Sequence, residues 1–444
     1  MKNDAKKDAT KIENRLANLK NFYKTLESVL NQLPNSIPEN IRNMLKDKII
    51  GDKGLKELMD GLENHRPPRF LLVGRTGVGK SSLINALCGI YTAEVSDTVS
   101  CTAGVKIYQC TSQGRILMEI LDTRGIAESN AIDNTQTAEI QLLNEVSQFS
   151  PDAAIFMLNC VHRDSIDDDV LFVKKIIQQY EKENKATLPV AVVLSRADDV
   201  MPGRVKAPKE YPETKIRNIE KIVDSCREII AKCGLKTETI IPVSSYIEWA
   251  LEDGSEVSVE DIGKLPASYI DKLQIAFDGR YNIEELKDAL ENAITDFRAK
   301  AGLRMALRLQ ELTRRIADKL TNIFAGISGT VALTPIPISD IYILLAIQAV
   351  LVTLIAACSG RDITLDTARE FILSLLGIGG AGWVLRLIAQ QGAKVLNIWF
   401  PGGGSAISTT IAFLGTKSIG AAAIAYYMDD KPLKKVAESI RQNK

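Results

Sequence analysis

The run LLVGRTGVGKSSLINALCG, residues 71–89, decides how the rest of the chain is read. An apolar start gives way to glycines, a lysine and paired serines, after which apolar residues return at helical spacing. The run satisfies G-x-x-x-x-G-K-[ST], with Gly74, Gly79, Lys80 and Ser81 in the fixed positions. A strand before the pattern and a helix after it are what give it chemical meaning. Backbone N–H groups of Gly74, Arg75, Thr76, Gly77, Val78 and Gly79, and of the helix start at Lys80, Ser81 and Ser82, are expected to converge on a phosphate. Side chains at the glycines would obstruct that approach. Lys80 is expected to neutralise phosphate oxygens, and the Ser81 hydroxyl to ligate Mg²⁺.

Working outward, short apolar runs alternate with helical stretches from Arg69 to about Ala299. Strands are predicted at 70–74, 105–110, 115–122, 153–159, 190–195 and 239–245, and helices at 80–88, 134–147, 167–183, 215–233 and 283–297. That alternation predicts an α/β fold with a mostly parallel sheet covered on both faces. Ser112-Gln113-Gly114 makes 105–122 a hairpin. Asp122 closes its strand as a second Mg²⁺ anchor, and the N–H of Gly125 in Asp122-Thr123-Arg124-Gly125 is placed to sense a terminal phosphate. Asp167-Asp168-Asp169 reads as a helix start, where carboxylates complement the dipole.

These residues resemble the first and third signature motifs of Era-like and septin-like small GTPases. GRTGVGKSSLINALCG is particularly similar to Era-type proteins and to immunity-related GTPases. The resemblance implies a P-loop NTPase G domain binding GTP or GDP with Mg²⁺. It also implies a switch threonine, Thr102 or secondarily Thr98, in a loop between Ile90 and Val105. The guanine-reading N/T-K-x-D becomes Ser195-Arg196-Ala197-Asp198, in which Asp198 still accepts from guanine N1 and N2 while Arg196 lies over the base. A small polar loop on the base falls at Ser244-Ser245. Two departures bear on turnover: Ile126 stands where Ras-type enzymes carry a water-orienting glutamine, and Gly77 where Era-type relatives hold potassium with an asparagine. Arg75, Arg124 or a group from a second molecule is then left to supply positive charge. The expected result is slow hydrolysis that rises on G-domain pairing in a homodimer, with a nucleotide-binding scaffold without significant turnover, or an Era-like ribosome-assembly GTPase, as the alternatives.

Composition sets the bounds. Fifty-five basic residues balance 55 acidic ones, so no global field draws nucleic acid or acidic lipid. There is also no basic G-x-x-G module for RNA, and nucleic acid is not an expected partner. Seven scattered cysteines without a C-x-x-C pair read as cytoplasmic thiols. With only two histidines, His65 and His162, zinc or histidine-triad chemistry is not expected.

Three divisions follow: an N-terminal helical segment (1–66), a G domain (67–298) and an apolar C-terminal helical domain (299–444). RMALRLQELTRRIADKLTNIF is predicted as one long helix leading into the last. Residues 321–428 hold only nine charged side chains. Ile341–Cys358 carries no formal charge, and its 18 residues extend roughly 27 Å as a helix, near a bilayer core. Lys417, mid-way through another apolar block, would cost on the order of 2.5–3.5 kcal/mol to insert. Two arrangements remain open: membrane contact or insertion through 341–427, or a helical domain in which 341–358 is the most buried helix and the N-terminal helix packs on it.

Overall fold

The computed structural model describes residues 15, 17–91, 93–99, 106–112, 115–123, 135–161, 166–237, 239–251, 253–270, 272–332, 340–379 and 404–442. The chain divides into two units: Asn64–Arg308, and the residues through Glu63 together with those from Leu309 onward. Before Glu63 the second unit includes α1 (Phe22–Asn31), α2 (Glu39–Ile50) and α3 (Lys53–Glu63).

The Asn64–Arg308 unit is built on β1 (Arg69–Val73), β2 (Ala93–Val99), β3 (Lys106–Ser112), β4 (Arg115–Asp122), β5 (Ala153–Asn159), β6 (Val190–Ser195) and β7 (Thr239–Pro242). Their order is β2-β3-β4-β1-β5-β6-β7. β4, β1, β5, β6 and β7 run parallel, while β2 and β3 add an antiparallel margin; β3 and β4 pair antiparallel as a hairpin over 105–122 requires, and the turn residues Gln113 and Gly114 lie outside the described residues. The central strands are apolar throughout because both faces are covered. Leu71, Val73, Phe156, Leu158, Val192 and Leu194 pack in one cluster with residues of α5 (Thr135–Phe149), α6 (Ile166–Asn184) and α7 (Glu213–Cys233). Their alternates, including Phe70, Leu72, Ile155 and Val193, share a second cluster with α4 (Lys80–Cys88), α8 (Ile283–Ala293) and α9 (Phe297–Leu307).

Three features depart from the sequence reading. The loop expected between Ile90 and Val105 contains β2, so Thr98 lies in a strand. A second sheet, ordered β10-β8-β9, is made by β8 (Ser244–Ala250), β9 (Glu256–Val257) and β10 (Gln274–Tyr281). The single long helix expected after residue 303 is two helices. Asp296 caps α9 by accepting from the N–H groups of Arg298 and Ala299, and α9 stops at Arg308, whose φ of −139° is not helical. Gly302 lies against the Arg66 carbonyl, where a Cβ would overlap the oxygen.

The helical unit continues with α10 (Leu309–Val331), α11 (Asp340–Cys358), α12 (Leu365–Gly379), α13 (Gly404–Ala423) and α14 (Leu433–Gln442). α10 and α13 approach closely because Gly420 backs onto Thr321 and Gly329 onto the Thr409 methyl. Gln348 of α11 donates to Thr416, whose hydroxyl donates to Ser328 of α10 at 2.9 Å, satisfying polar groups inside the bundle. From Ala349 to Cys358 every residue of α11 is buried. Among the described residues no helix is long and apolar enough to cross a membrane. The apolarity of 349–358 is used inside the bundle, whereas Tyr342 near the start of α11 is exposed. Residues before Glu63 and after Leu309 meet in the bundle: Asn18 donates to the Ala357 carbonyl and to Asp362, and Lys319 pairs with Asp52 at 3.1 Å.

Candidate functional site

β1 delivers the glycine-rich turn, and α4 starts with Gly79 as its N-cap residue and no side-chain cap. The N–H groups of its first turn therefore remain available to an anion. Gly77 and Gly79 have φ of +76° and +98°, and a Cβ at either would meet nothing within 4 Å. Their requirement in the ligand-free chain is conformational, and the loop leaves room at both positions. Gly74 is different, because a Cβ there would come within 3.0 Å of the Met157 carbonyl and a Val78 methyl.

Lys80 turns back over the loop, donating to the carbonyls of Gly74 (2.5 Å) and Arg75 (3.3 Å). Its Nζ lies 3.5 Å from Asp122 Oδ1, and the two side chains are 9% and 1% exposed. Asp122 reaches this position because β4 registers it beside Leu72 of β1. Ser81 and Ser82 are exposed on the first turn of α4. A magnesium ion here would find hard oxygen donors, the Ser81 hydroxyl and the Asp122 carboxylate, so the donor chemistry fits.

Arg75 does not project freely. Its Nε donates to both oxygens of Asp169, at 2.8 and 3.1 Å, tying the loop to the first turn of α6. Asp167 and Asp168 share that turn, as the acidic helix start requires, and Asp169 has this additional role that its spacing does not announce. Arg75, Gly77, Asn159, Asp169 and Arg196 help line a cavity of about 310 Å³.

The other wall is the turn after β6. Ser195 Oγ donates to the Leu158 carbonyl at 3.1 Å, fastening β6 to β5. Arg196 takes a left-handed conformation, φ +59°, and its guanidinium reaches the Gly77 carbonyl at 2.8 Å, so Arg196 and the phosphate loop are brought together. Asp198 is buried, and Oδ2 accepts from Lys206 Nζ at 2.8 Å. Lys215 lies beneath, donating to the Asp198 carbonyl at 2.6 Å. Neither lysine is part of a motif, and no spacing signal marks them.

Ser244-Ser245 is not a loop. It opens β8, with Ser244 fully buried and bonded to the Tyr246 N–H, because Val243 donates to Leu194 and carries the chain straight into the second sheet. Thr102, Arg124, Gly125 and Ile126 lie outside the described residues.

A sequence model described as "50S ribosome-binding GTPase" matches residues 69–196. The chain is 31% identical over 131 residues to the tRNA modification GTPase MnmE of Yersinia pseudotuberculosis serotype O:1b, covering 29% of this chain and 27% of that protein. It is 36% identical over 116 residues to the small ribosomal subunit biogenesis GTPase RsgA 1 of Bacteroides thetaiotaomicron, covering 22% and 32%. The chain thus spans 27–32% of the length of these curated relatives. A solved LeoA bacterial dynamin GTPase from ETEC aligns over 97% of this chain and 95% of that one at 10% identity, with a TM-score of 0.34, too loose to carry an inference. The phosphate loop, the paired Lys80 and Asp122, and this family match together make residues 69–196 a GTPase domain of the P-loop superfamily.

Proposed function

We propose that the chain is a cytoplasmic guanine-nucleotide switch, close to the Era-like and immunity-related branches, that hydrolyses GTP slowly and faster when two G domains pair. The observation that carries the reading is the meeting of two elements: a glycine turn with Lys80 beside Asp122, and a base-reading turn whose Arg196 reaches Gly77. The first suits a magnesium-bound phosphate chain, the second a guanine. Low intrinsic turnover follows from Gly77, which offers no side chain, and from Arg75, whose guanidinium is engaged by Asp169. Thr102 and Gly125 are assigned the switch roles, with Ser81, Asp122 and Thr102 on Mg²⁺. The output is a nucleotide-dependent change in how the helical unit meets a protein partner or a membrane surface.

Phosphate release measured over a protein concentration series tests the enzymatic half. Specific activity rising with concentration supports pairing; no release at any concentration replaces the switch with a nucleotide-binding scaffold. Sedimentation with liposomes tests the membrane output. Identical behaviour with GDP and a non-hydrolysable GTP analogue defeats it.

A further inference from the structure

The turn carrying Asp198 is followed by a proline-rich stretch and then by α7, each of which supplies one lysine to it. Lys206 Nζ lies 2.8 Å from Asp198 Oδ2 and 2.5 Å from Asp199 Oδ1, bridging adjacent carboxylates, and 5.6 Å from the centroid of the Tyr246 ring. Lys215, at the start of α7, is 0% exposed. Its Nζ donates to the carbonyls of Asp198 (2.6 Å), Val205 (2.9 Å) and Pro202 (3.3 Å) and lies 4.5 Å from the Tyr211 ring centroid. A buried ammonium is unfavourable unless its protons are accepted, and here three carbonyls meet three protons. Lys215 thus acts as a fixed internal cation around which residues 198–205 are folded. Burial pulls its pKa below the ordinary lysine value, against the opposing pull of Asp198. At Lys206 burial also lowers the pKa, but the bonds to Asp198 and Asp199 more than offset it and the group titrates above its ordinary value.

We propose that Lys206 and Lys215 are positioning residues for guanine discrimination: Lys215 sets the height of the turn and Lys206 the plane of the Asp198 carboxylate. This rests on the base-reading role of Asp198 given above. A carboxylate has about four acceptor sites, so one lysine bond leaves room for guanine N1–H and N2–H. Fixing the carboxylate before the base arrives removes an ordering cost from recognition. The phosphate chain is held elsewhere, so loss of either lysine acts on the base contacts.

The test is calorimetric titration of the full chain with GDP and ADP, comparing the parent with K206M, K206R and K215M. Freeing the Asp198 carboxylate to rotate weakens only the base contacts, so K206M is expected to lower the GDP-to-ADP affinity ratio about tenfold. K206R, which keeps the cation, is expected to restore most of the ratio. K215M is expected to act in the same direction in material with parental circular dichroism; if it does not fold, the partly exposed Lys206 decides alone. An unchanged ratio in K206M, a tighter GDP complex, or GDP and ADP weakening by the same factor overturns the proposal. A parent that binds GDP and ADP equally overturns the guanine reading itself, before any variant is compared.

Discussion

Lys80 and Asp122 stand 3.5 Å apart and nearly sealed from solvent, so removing one strands the other's charge. Lys80→Ala is expected to weaken GTP binding about a hundredfold, roughly 2.7 kcal/mol. It is also expected to destabilise the nucleotide-free protein by about 3 kcal/mol in urea unfolding. Adding Asp122→Asn should return most of the lost stability and none of the binding; a double variant no more stable than Lys80→Ala would show that the pair is not coupled. The glycines of the same loop separate by cause. Gly79→Ala imposes a left-handed strain of about 1–2 kcal/mol on the free chain, whereas Gly74→Ala pushes against Met157 and Val78 and lowers the melting temperature whether or not nucleotide is bound. Lys80, Asp122, Arg196 and Asp198 were legible because each sits at a fixed offset within a strand-end motif. Asp169, Lys206 and Lys215 were not, because only the assembled sheet brings them to residues 94, 8 and 17 positions away in sequence.

At the scale of elements, the parallel core was readable from its unbroken apolar strands, since burial on both faces leaves no alternation to misread. The second sheet is hidden in the sequence for the opposite reason. β10, QIAFDGRY, is exposed at Gln274, Ala276 and Asp278 and carries a glycine and two charges, and only its pairing with β8 makes it a strand. The break at Arg308 is hidden in the sequence because the apolar spacing of α10 continues that of α9. Helix contacts now make two sites sensitive. Gly420→Val would drive a branched side chain into Thr321 between α10 and α13, and Gly302→Ala would overlap the Arg66 carbonyl. Each is expected to cost about 2–4 kcal/mol, the first in the helical unit and the second in the GTPase unit. Limited proteolysis checks the assignment: cleavage should appear within 309–442 for the first variant and within 64–308 for the second.

Across the whole molecule, two units with separate cores are expected to give two calorimetric transitions. GDP at about a hundred times its Kd should stabilise the GTPase unit by about 2.7 kcal/mol. If the chain is a switch, the helical transition must answer differently to GDP and to a GTP analogue; equal responses would remove that role while leaving nucleotide binding intact. The Cys358 thiol offers a second readout. Burial pushes its pKa up to about 12, so its alkylation at pH 8 reports opening of the helical unit.

That helical unit draws its pieces from both sides of the GTPase unit, which has a consequence during synthesis. α1, α2 and α3 are 10, 12 and 11 residues long, too short to persist alone in water. Leu26, Leu45, Ile49 and Leu55, all fully covered in the finished fold, leave the ribosome well before α10 exists. At about 5–20 residues per second, tens of seconds pass before Leu309 emerges. The nucleotide-binding core can form in that interval, while the leading helices stay sticky and unpaired, and a ribosome stalled short of residue 309 would release a chain that binds nucleotide yet clumps through its own beginning.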